Sequence, residues 1–487
     1  MFRLPYLLIF NEVTMRKYVY TCFIGLLLAV QACSDWLDVK PSDRVSEENA
    51  FSTISGFKKA LNGIYVELNR NELYGRSLTS EFVEILAQRY AVNSESTANQ
   101  LLTEYNYAGA DAKSRISSIW AKAYNLVANT NLMLKNCEVN RSVLPDDYYH
   151  LVKGEGLALR AMLHFDLFRL FGPVYGKDST LQSIPYYKEF SLEVNPSMKA
   201  NDFIQEVLND LLQAEEELKE DPIIERGPKG DRLDVFKSDR YLRLNYYAVQ
   251  ALIARVYMYR GDKTNALEYA KKVIAAQKLW FPWIKPTAIV AGSENPDRMF
   301  SSELLFSLQN SNRNGIFSSL FDGTSLKLNA LLAPREDVVN YVFDDEKQDY
   351  RYISGFASAS VELGGVSYKV FNKYQGRDSV YAQLIPMVRV SEAYLIAAEA
   401  EPKTSAGVLY FNELRNNRGL EGTKSSYLSW MLEEEWRREF YGEGQLFFYY
   451  KRKMMTSIQS ANDKYGSTSV TMKNYVLPIP DGELQYN

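Results

Sequence analysis

Histidine is scarce in this chain, and that scarcity limits the catalytic chemistry its side chains can perform. Among 487 residues there are two histidines: His150, which follows a run of aspartate and tyrosine, and His164, which lies inside an apolar stretch. A Ser-His-Asp or Cys-His arrangement needs a histidine that is held by a partner and faces a nucleophile. We interpret His164 as a buried residue with satisfied hydrogen bonds, and the sequence predicts no catalytic residue.

Metal and phosphate chemistry are also poorly represented. No His and Cys residues have the spacing of a metal-ligand set, and no glycine-rich loop of the phosphate-cradling type is present. Acidic runs occur at 215–217 and 433–435, but such runs on helices are usually solvated or ion-paired, so no glycosidase-type acid pair can be singled out. The sequence therefore predicts no metal site and no cofactor, and it leaves calcium binding open.

Charged residues within the apolar C-terminal segments suggest a structural role. Arg389 and Glu392 lie three residues apart at the start of a mostly apolar stretch, and Arg438 and Glu439 are neighbours in a second one. A charge inside an apolar segment must be paired to be tolerated. We predict that these four residues form ion pairs that lock the C-terminal helices together, and that they do not contact a ligand.

The composition is that of a globular protein rich in tyrosine. Hydrophobic residues make up 46% of the chain and charged residues 24%, the formal net charge is −4, and there are 35 Tyr against 24 Phe. The acidic balance argues against nucleic-acid binding, which needs a basic surface. Because a single core stops growing at roughly 250–300 residues, we expect either two domains or one body built from repeats.

The first 32 residues have the features of a secretory signal. Arg16 and Lys17 precede an apolar run at 19–30. The run is too short to span a membrane, because a membrane-spanning helix needs about 20 residues. The run ends in Val30-Gln31-Ala32-Cys33, which resembles a bacterial lipobox. We predict a signal peptide at 1–32 with its natural start at Met15, and a mature chain of one domain, 33–487, lipidated at Cys33.

Paired helices are the elements that must position any binding residue. The stretch 247–259 is apolar nearly all round, Gly261-Asp262 predicts a turn, and apolar residues then recur at helical spacing from Ala266 to Gln277. A buried helix, a turn and an amphipathic partner within about 34 residues are typical of a tetratricopeptide-type repeat. Further helices are predicted at 116–137, 154–171, 201–218, from 390, at 406–418 and at 433–441. Stacked repeats share a core, so we predict a mostly α scaffold.

The helical pattern breaks between 281 and 386. Short alternating runs at 303–308 and 366–371 predict strands, and Gly, Pro, Ser and Asn cluster around them. Other irregular segments are predicted at 89–110, 175–196 and 221–240. Irregular segments on a rigid scaffold often carry binding sites, so we expect a loop-rich ligand-binding insertion around 281–386.

The ordered motifs of the chain resemble the SusD/RagB family of surface lipoproteins from Bacteroidetes nutrient-uptake systems. They run almost from end to end: CSDWLD (33–38), IW (119–120), LFGPV (170–174), ALIARVY (251–257), ELLF (303–306), RVSEAYLIAAE (389–399), LRNNRG (414–419), EWRREF (435–440) and LPIP (477–480). Each motif is weak alone, but nine in order across one chain are specific.

The resemblance implies a SusD-like fold and a non-enzymatic, glycan-binding lipoprotein on the outer leaflet of the outer membrane. It also implies a partner, a SusC-like TonB-dependent transporter that receives the oligosaccharide. Sugar binding needs aromatic rings beside polar groups, and the irregular segments offer five candidates: Arg89, Tyr90, Asn93, Tyr105 and Trp283.

Three alternatives stay open at this point. The same scaffold binds peptides on the RagB side of the family, and the tyrosine-rich loops permit either cargo. A surface glycoside hydrolase on a helical body is a further alternative, although no acid pair is identifiable. The third alternative is a tetratricopeptide adaptor that binds another protein. It overlaps with the glycan-delivery hypothesis if the transporter is that protein.

Overall fold

The computed structural model describes residues 47–92, 96–191, 193–289, 296–376 and 380–483. The predicted signal peptide and Cys33 lie outside these ranges. Residues Met1–Ser52 group as one unit and Thr53–Asn487 as a second, compact unit. The first unit contains the short helix α1, and all other elements belong to the second.

The described chain is mostly helical, with short strands paired two by two. The helices are α1 Glu47–Ala50, α2 Ile54–Leu68, α3 Phe82–Leu86, α4 Thr97–Thr103, α5 Ala110–Val139, α6 Asp146–Phe171, α7 Ala200–Glu217, α8 Ile223–Arg226, α9 Tyr246–Arg260, α10 Lys263–Trp280, α11 Arg313–Leu320, α12 Glu336–Val342, α13 Tyr350–Gly355, α14 Val390–Ala400, α15 Thr404–Asn416, α16 Leu428–Glu439 and α17 Leu446–Lys453. The strands are β1 Gln182–Pro185, β2 Ser197–Lys199, β3 Leu304–Gln309, β4 Phe356–Leu363, β5 Val366–Phe371, β6 Leu384–Arg389, β7 Ser457–Gln459 and β8 Ser467–Ser469.

Consecutive helices pack against one another, as expected for a repeat scaffold. Helix α5 packs on α6, α6 on α7, α9 on α10, and α14 on both α10 and α15. The predicted turn between α9 and α10 is present: Gly261 has a φ of +87°, and the Asp262 side chain caps α10 by accepting from the Asn265 N–H. A positive φ is a conformation that glycine adopts without a steric cost. The predicted tetratricopeptide-like, mostly α fold is confirmed.

Two sequence expectations about the helices were wrong. The segment 89–110 is not wholly irregular, because it contains α4. The helix predicted at 433–441 begins earlier, as α16 at Leu428, and is followed by α17. Gly442 and Gly444 both have positive φ, and their N–H groups donate to the buried Glu84 carboxylate at 2.9 Å. This turn ends α16 and allows the chain to start a new helix.

The segment 281–386 carries the strands that sequence patterning indicated, together with others that it missed. Strands β3 and β5 match the predicted runs at 303–308 and 366–371 closely, whereas β4 and β6 were not predicted. Strand β3 pairs antiparallel with β6, and β4 with β5. The β3–β6 register places Leu304 opposite Arg389, so Glu303 and Arg389 enter the same region of the core.

A network of buried ion pairs occupies that region. Glu439 is fully buried and accepts hydrogen bonds from the guanidinium groups of Arg351, Arg389 and Arg418. Despite its burial, these arginines hold the pKa of the Glu439 carboxyl well below its usual range. Arg418 also pairs with buried Glu303, at 2.6 Å between Nη2 and Oε2. The network therefore joins β3, β6, α13, α16 and the end of α15.

The four residues predicted to form ion pairs all do so, but among these four it is Arg389 and Glu439 that pair with each other, and not residues close in sequence. Arg389 binds Glu439 and Glu443, whereas Glu392 binds Arg255 through two contacts of 2.7 Å. Arg438 reaches Asp344 and Glu346 in the segment after α12. The partners thus come from distant parts of the chain, which spacing alone does not reveal.

Replacing Arg418 should test how strongly the fold depends on this network. Arg418→Met leaves Glu303 without its partner and removes one of three cations from Glu439, so we expect a loss of about 3–5 kcal/mol in the free energy of unfolding. Urea unfolding followed by circular dichroism measures it. The matched control is Lys219→Met, which breaks an exposed pair with Glu216 and should cost less than about 1 kcal/mol. Equal losses in both variants would contradict the structural role.

Candidate ligand-binding groove

Three of the five predicted ligand-binding residues are buried structural residues, so the prediction was wrong for them. Tyr90 is fully buried, and its hydroxyl donates to the Ser80 carbonyl at 2.9 Å. Tyr105 is 7% exposed and donates to the Leu86 carbonyl at 2.9 Å. Arg89 is 6% exposed, and its guanidinium stacks over the Tyr441 ring at 3.8 Å. None of the three offers a face to a ligand.

For Arg89 and Tyr90 the physical reason is a long-range backbone contact. The Ala91 N–H donates to the Ala333 carbonyl at 3.0 Å, which forms an antiparallel bridge between the two segments. This bridge holds residues 89–91 against the insertion instead of leaving them on a surface loop. Asn93, the fourth candidate, lies outside the described residues.

Trp283, the fifth candidate, is partly exposed but is not placed with the others. Its ring lies 4.9 Å from that of Tyr394, and the Arg418 guanidinium lies over it at 5.2 Å. Its Nε1–H donates to Glu413 at 3.3 Å. Trp283 therefore borders the buried ion network, and these contacts account for its position.

A concave groove lies elsewhere, between α5 and the chain that follows β1. Its volume is about 470 Å³. Its lining combines aromatic, amide and carboxylate side chains: Trp120, Ala121, Tyr124, Asn125, Val127, Ala128, Asn131, Pro185, Tyr187, Glu189, Ser191, Glu193, Val194 and Glu483. We call this feature the tyrosine groove.

Aromatic residues from two separate segments meet in the tyrosine groove. Trp120 and Tyr124 are one helical turn apart on α5, with ring centroids 4.7 Å from each other. The Tyr124 hydroxyl donates to the Pro185 carbonyl at 2.9 Å, and its ring meets the Tyr187 ring edge to face at 5.5 Å. Trp120 packs below, against Phe171. Tyr124 and Tyr187 are both partly exposed, so they present ring surface to the groove.

Buried polar groups hold the wall that carries Tyr187. The Asn131 amide donates to the Tyr187 and Glu189 carbonyls at 2.9 and 3.2 Å. Arg160 forms a two-point contact with Asp210, at 2.7 and 2.6 Å, and also donates to the Lys188 carbonyl at 2.6 Å. A wall anchored by charge-assisted bonds to two helices is pre-organised, which lowers the ordering cost of binding.

His164 supports the same wall from the core. Its Nδ1 lies 2.9 Å from the Arg160 carbonyl, and its Nε2 accepts from the Tyr187 N–H at 3.1 Å, which requires a neutral imidazole with the proton on Nδ1. The ring stacks on Tyr186 at 3.8 Å and is fully buried. Burial lowers the pKa of His164 to about 3. The interpretation of His164 as a satisfied core residue is confirmed.

The rim of the groove supplies hydrogen-bonding groups. Asn125, Glu189, Ser191 and Glu193 are exposed there, and no lysine or arginine of the described chain lines the groove. Rings with amide and carboxylate acceptors suit a ligand that has apolar faces and many hydroxyl donors. No cluster of His, Cys, Asp and Glu suited to a metal ion occurs in the described ranges.

Sequence reasoning pointed to only part of this site. The segment 175–196 was predicted to be irregular, but Tyr187 was not singled out within it. The spacing of Trp120 and Tyr124 is visible in the sequence, yet it is equally typical of a packed helix face.

A second exposed ring pair is formed by Tyr341 and Tyr465, which are 41% and 76% exposed and have ring centroids 5.7 Å apart. Neither residue of that pair lines the tyrosine groove.

Comparison with known families agrees with the fold and decides the family. A family profile described as "Starch-binding associating with outer membrane" (SusD-like_3) matches residues 35–227, and the "SusD family" profile (SusD_RagB) matches residues 356–487. The chain belongs to the SusD/RagB family. The resemblance drawn from the ordered motifs is thereby confirmed.

SusD-like relatives and solved structures cover nearly the whole chain. SusD-like protein P2 of Formosa agariphila is 24% identical over 97% of this chain and 98% of its own, and SusD-like protein P38 of the same organism is 21% identical over 79% of each. A SusD superfamily protein from Bacteroides thetaiotaomicron superposes with a TM-score of 0.69 at 21% identity, covering 89% of this chain and 98% of that one. A putative sugar binding protein from Bacteroides vulgatus gives 0.69 at 22% identity, covering 90% and 97%.

The family is associated with the outer membrane, according to the description of the first profile. Among the helices that the structure describes, none has the length and apolar character to cross a membrane.

The buried His164 predicts a pH dependence of stability. Its pKa is about 3 in the folded state against an ordinary value of 6.5, so the unfolded chain takes up the proton first. The contribution of the neutral, buried His164 to the free energy of unfolding is complete above about pH 6.5. It is lost as the pH falls toward 3, with roughly 2–3 kcal/mol lost by pH 4.5. His164→Gln cannot titrate, and its amide oxygen can still accept from the Tyr187 N–H.

Urea unfolding of both proteins at pH 7 and pH 4.5 measures the effect. The stability advantage of the wild type over His164→Gln should shrink as the pH falls. Parallel losses in the two proteins would show that His164 is not held neutral in the core.

Proposed function

We propose that this SusD/RagB protein is a cell-surface lipoprotein that captures oligosaccharide in the tyrosine groove. It delivers the oligosaccharide to a SusC-like TonB-dependent transporter. The observation that carries the proposal is the pairing of Tyr124 and Tyr187 with polar rim groups in one concave site.

The groove has the physical requirements of a sugar site. A pyranose ring has an apolar face that stacks on an aromatic ring, while its hydroxyl groups need acceptors and donors at the edge. The partly exposed rings of Tyr124 and Tyr187 supply the stacking surface. Asn125 and Ser191 supply groups that both donate and accept, and Glu189 supplies an acceptor. Because Asn131 and Arg160 hold the wall, the site forms before the ligand arrives.

Binding without cleavage is the activity that this arrangement favours. A glycosidase places two carboxyl groups on either side of the scissile bond, and one of them is an acid with a raised pKa. The lining carboxylates are Glu189 and Glu193, which share one loop, and Glu483 from the C-terminal segment, and none of the three is buried as the acid of a glycosidase pair would be. This supports a binding protein over the surface glycoside hydrolase.

The surface location rests on the sequence and the family. Residues 1–32 have the pattern of a signal peptide, and Cys33 follows a lipobox-like sequence. The lipid anchor would hold the protein on the outer leaflet, in the outer membrane with which the family is associated. The transporter partner is inferred from the family resemblance, as is the absence of a cofactor.

Removal of the Tyr187 ring should weaken glycan binding. Tyr187→Ala removes a stacking surface but keeps the bond from the Asn131 amide to the residue 187 carbonyl and the bond from the residue 187 N–H to His164, so we expect roughly a tenfold or greater loss of affinity. Isothermal titration calorimetry against a panel of neutral oligosaccharides, including maltoheptaose, cellohexaose, xylohexaose and mannohexaose, measures it.

The matched control is Tyr465→Ala, which removes an exposed ring outside the groove. A loss of binding in Tyr465→Ala with none in Tyr187→Ala would move the site to the second ring pair. If no glycan binds and a casein-peptide mixture does, the cargo is peptide and the sugar proposal fails.

The anchor has a separate test in the native host. Cys33→Ala should move the protein from the membrane pellet to the soluble fraction, because the acyl chains can no longer be attached. Fractionation with immunoblotting measures the distribution. Cys137→Ala is the control, since Cys137 is buried in α5 and its loss should leave the protein in the pellet. Membrane retention of Cys33→Ala would contradict lipidation at this residue.

A further inference from the structure

A second, larger cleft lies beside the tyrosine groove. Its volume is about 800 Å³. Its lining comes from the start of α5, the chain between α6 and β1, and the C-terminal segment, and it includes Lys113, Phe171, Lys177, Ser183, Lys473 and Asp481. We call it the lysine cleft.

The tyrosine groove and the lysine cleft have neighbouring lining residues at two places. Strand β1 contributes Ser183 to the lysine cleft and Pro185, two residues further, to the tyrosine groove. Phe171 of the cleft packs edge to face on Trp120 of the groove, with centroids 4.8 Å apart. A ligand that occupied both would have to extend across this boundary.

The charges of the two depressions have opposite signs. Lys113, Lys177 and Lys473 line the cleft, and the carboxylate among its lining residues is Asp481, which pairs with Lys113 at 2.9 Å. Within the described chain, Lys177 and Lys473 have no ion-pair partner. The carboxylate next in sequence to Lys177, Asp178, accepts from the Thr180 N–H and hydroxyl instead.

The cleft also contains a buried hydroxyl that has no partner in the described chain. Ser183 is 8% exposed, and its Oγ makes no hydrogen bond there. A buried polar group without a partner costs free energy, and this one lines a cleft that solvent or a ligand can fill. Leu181, which is 49% exposed, and the partly exposed Met472 and Val476 add apolar surface. The cleft thus combines two ammonium groups without ion-pair partners, an apolar wall and a buried hydroxyl, that of Ser183, in its lining.

We propose that the lysine cleft binds the negatively charged part of an acidic oligosaccharide, one that carries carboxylate or sulfate groups. The neutral part of the same chain occupies the tyrosine groove. This inference rests on the proposed function and adds the class of sugar. An anionic substituent is attracted by Lys177 and Lys473 and repelled by Glu189 and Glu193, so opposite charges place it in the cleft.

A pair of polymers with one backbone tests the charge requirement. Sparsely carboxymethylated dextran and neutral dextran of equal length are compared by biolayer interferometry with the purified full chain, and sparsely sulfated dextran forms a third arm. We expect the two anionic polymers to bind about tenfold more tightly than neutral dextran, with the advantage decreasing at high salt. The relative affinity of the two anionic arms identifies the preferred group.

The variant Lys177→Gln/Lys473→Gln should remove most of that advantage. The matched control Lys278→Gln, at an exposed position in the last turn of α10, should keep it. Equal binding of charged and neutral polymers, or no binding of either, would overturn the inference, as would an advantage that survives the double variant. Binding of poly-glutamate without binding of the anionic dextrans would assign the cleft to acidic peptide and also overturn it.

The two proposals can fail separately. If Tyr187→Ala weakens the binding of a neutral oligosaccharide while charge has no effect, the glycan function stands and only the class of sugar is wrong. If charged polymers bind through the lysines but no neutral oligosaccharide binds the groove, the proposed function fails in its present form.

Discussion

Glu439 accepts hydrogen bonds from Arg351, Arg389 and Arg418, and all four side chains are buried. Each of these charges has lost its hydration, so each depends on partners that belong to different elements. The arrangement can form only when the strands of the insertion, the end of α15 and α16 are all in place. The loop-rich insertion is therefore tied into the helical scaffold by electrostatics as well as by apolar packing.

The same constraint reappears on a smaller scale beneath the tyrosine groove. Arg160 is buried against Asp210, and it spends its remaining donors on the Asn131 side chain and the Lys188 carbonyl. A loop that follows a short strand is ordinarily mobile, but here its backbone completes the coordination of a buried cation. The rings that face the groove are consequently held by the core, although they lie at its surface.

Much of the fold could be predicted from the sequence, because helical periodicity and turn residues are local signals. The Gly261-Asp262 turn and strand β5 illustrate this. The residues of the candidate binding site could not be predicted from the sequence, because the orientation of an aromatic ring depends on distant contacts. Tyr90 has polar neighbours in sequence but turns inward where Ala91 meets Ala333. Tyr124 and Tyr187 are far apart in the chain and meet only through the packing of α5 against the segment after β1.

Because the groove and the cleft carry charges of opposite sign, this face of the molecule is electrostatically asymmetric. A chain with unlike ends experiences a turning force as it approaches, because each end is attracted at one place and repelled at the other. The ligand would then bind in one orientation and not in two equivalent ones. Whatever receives the cargo next would meet the same leading end every time, so the order of transfer would already be set at capture.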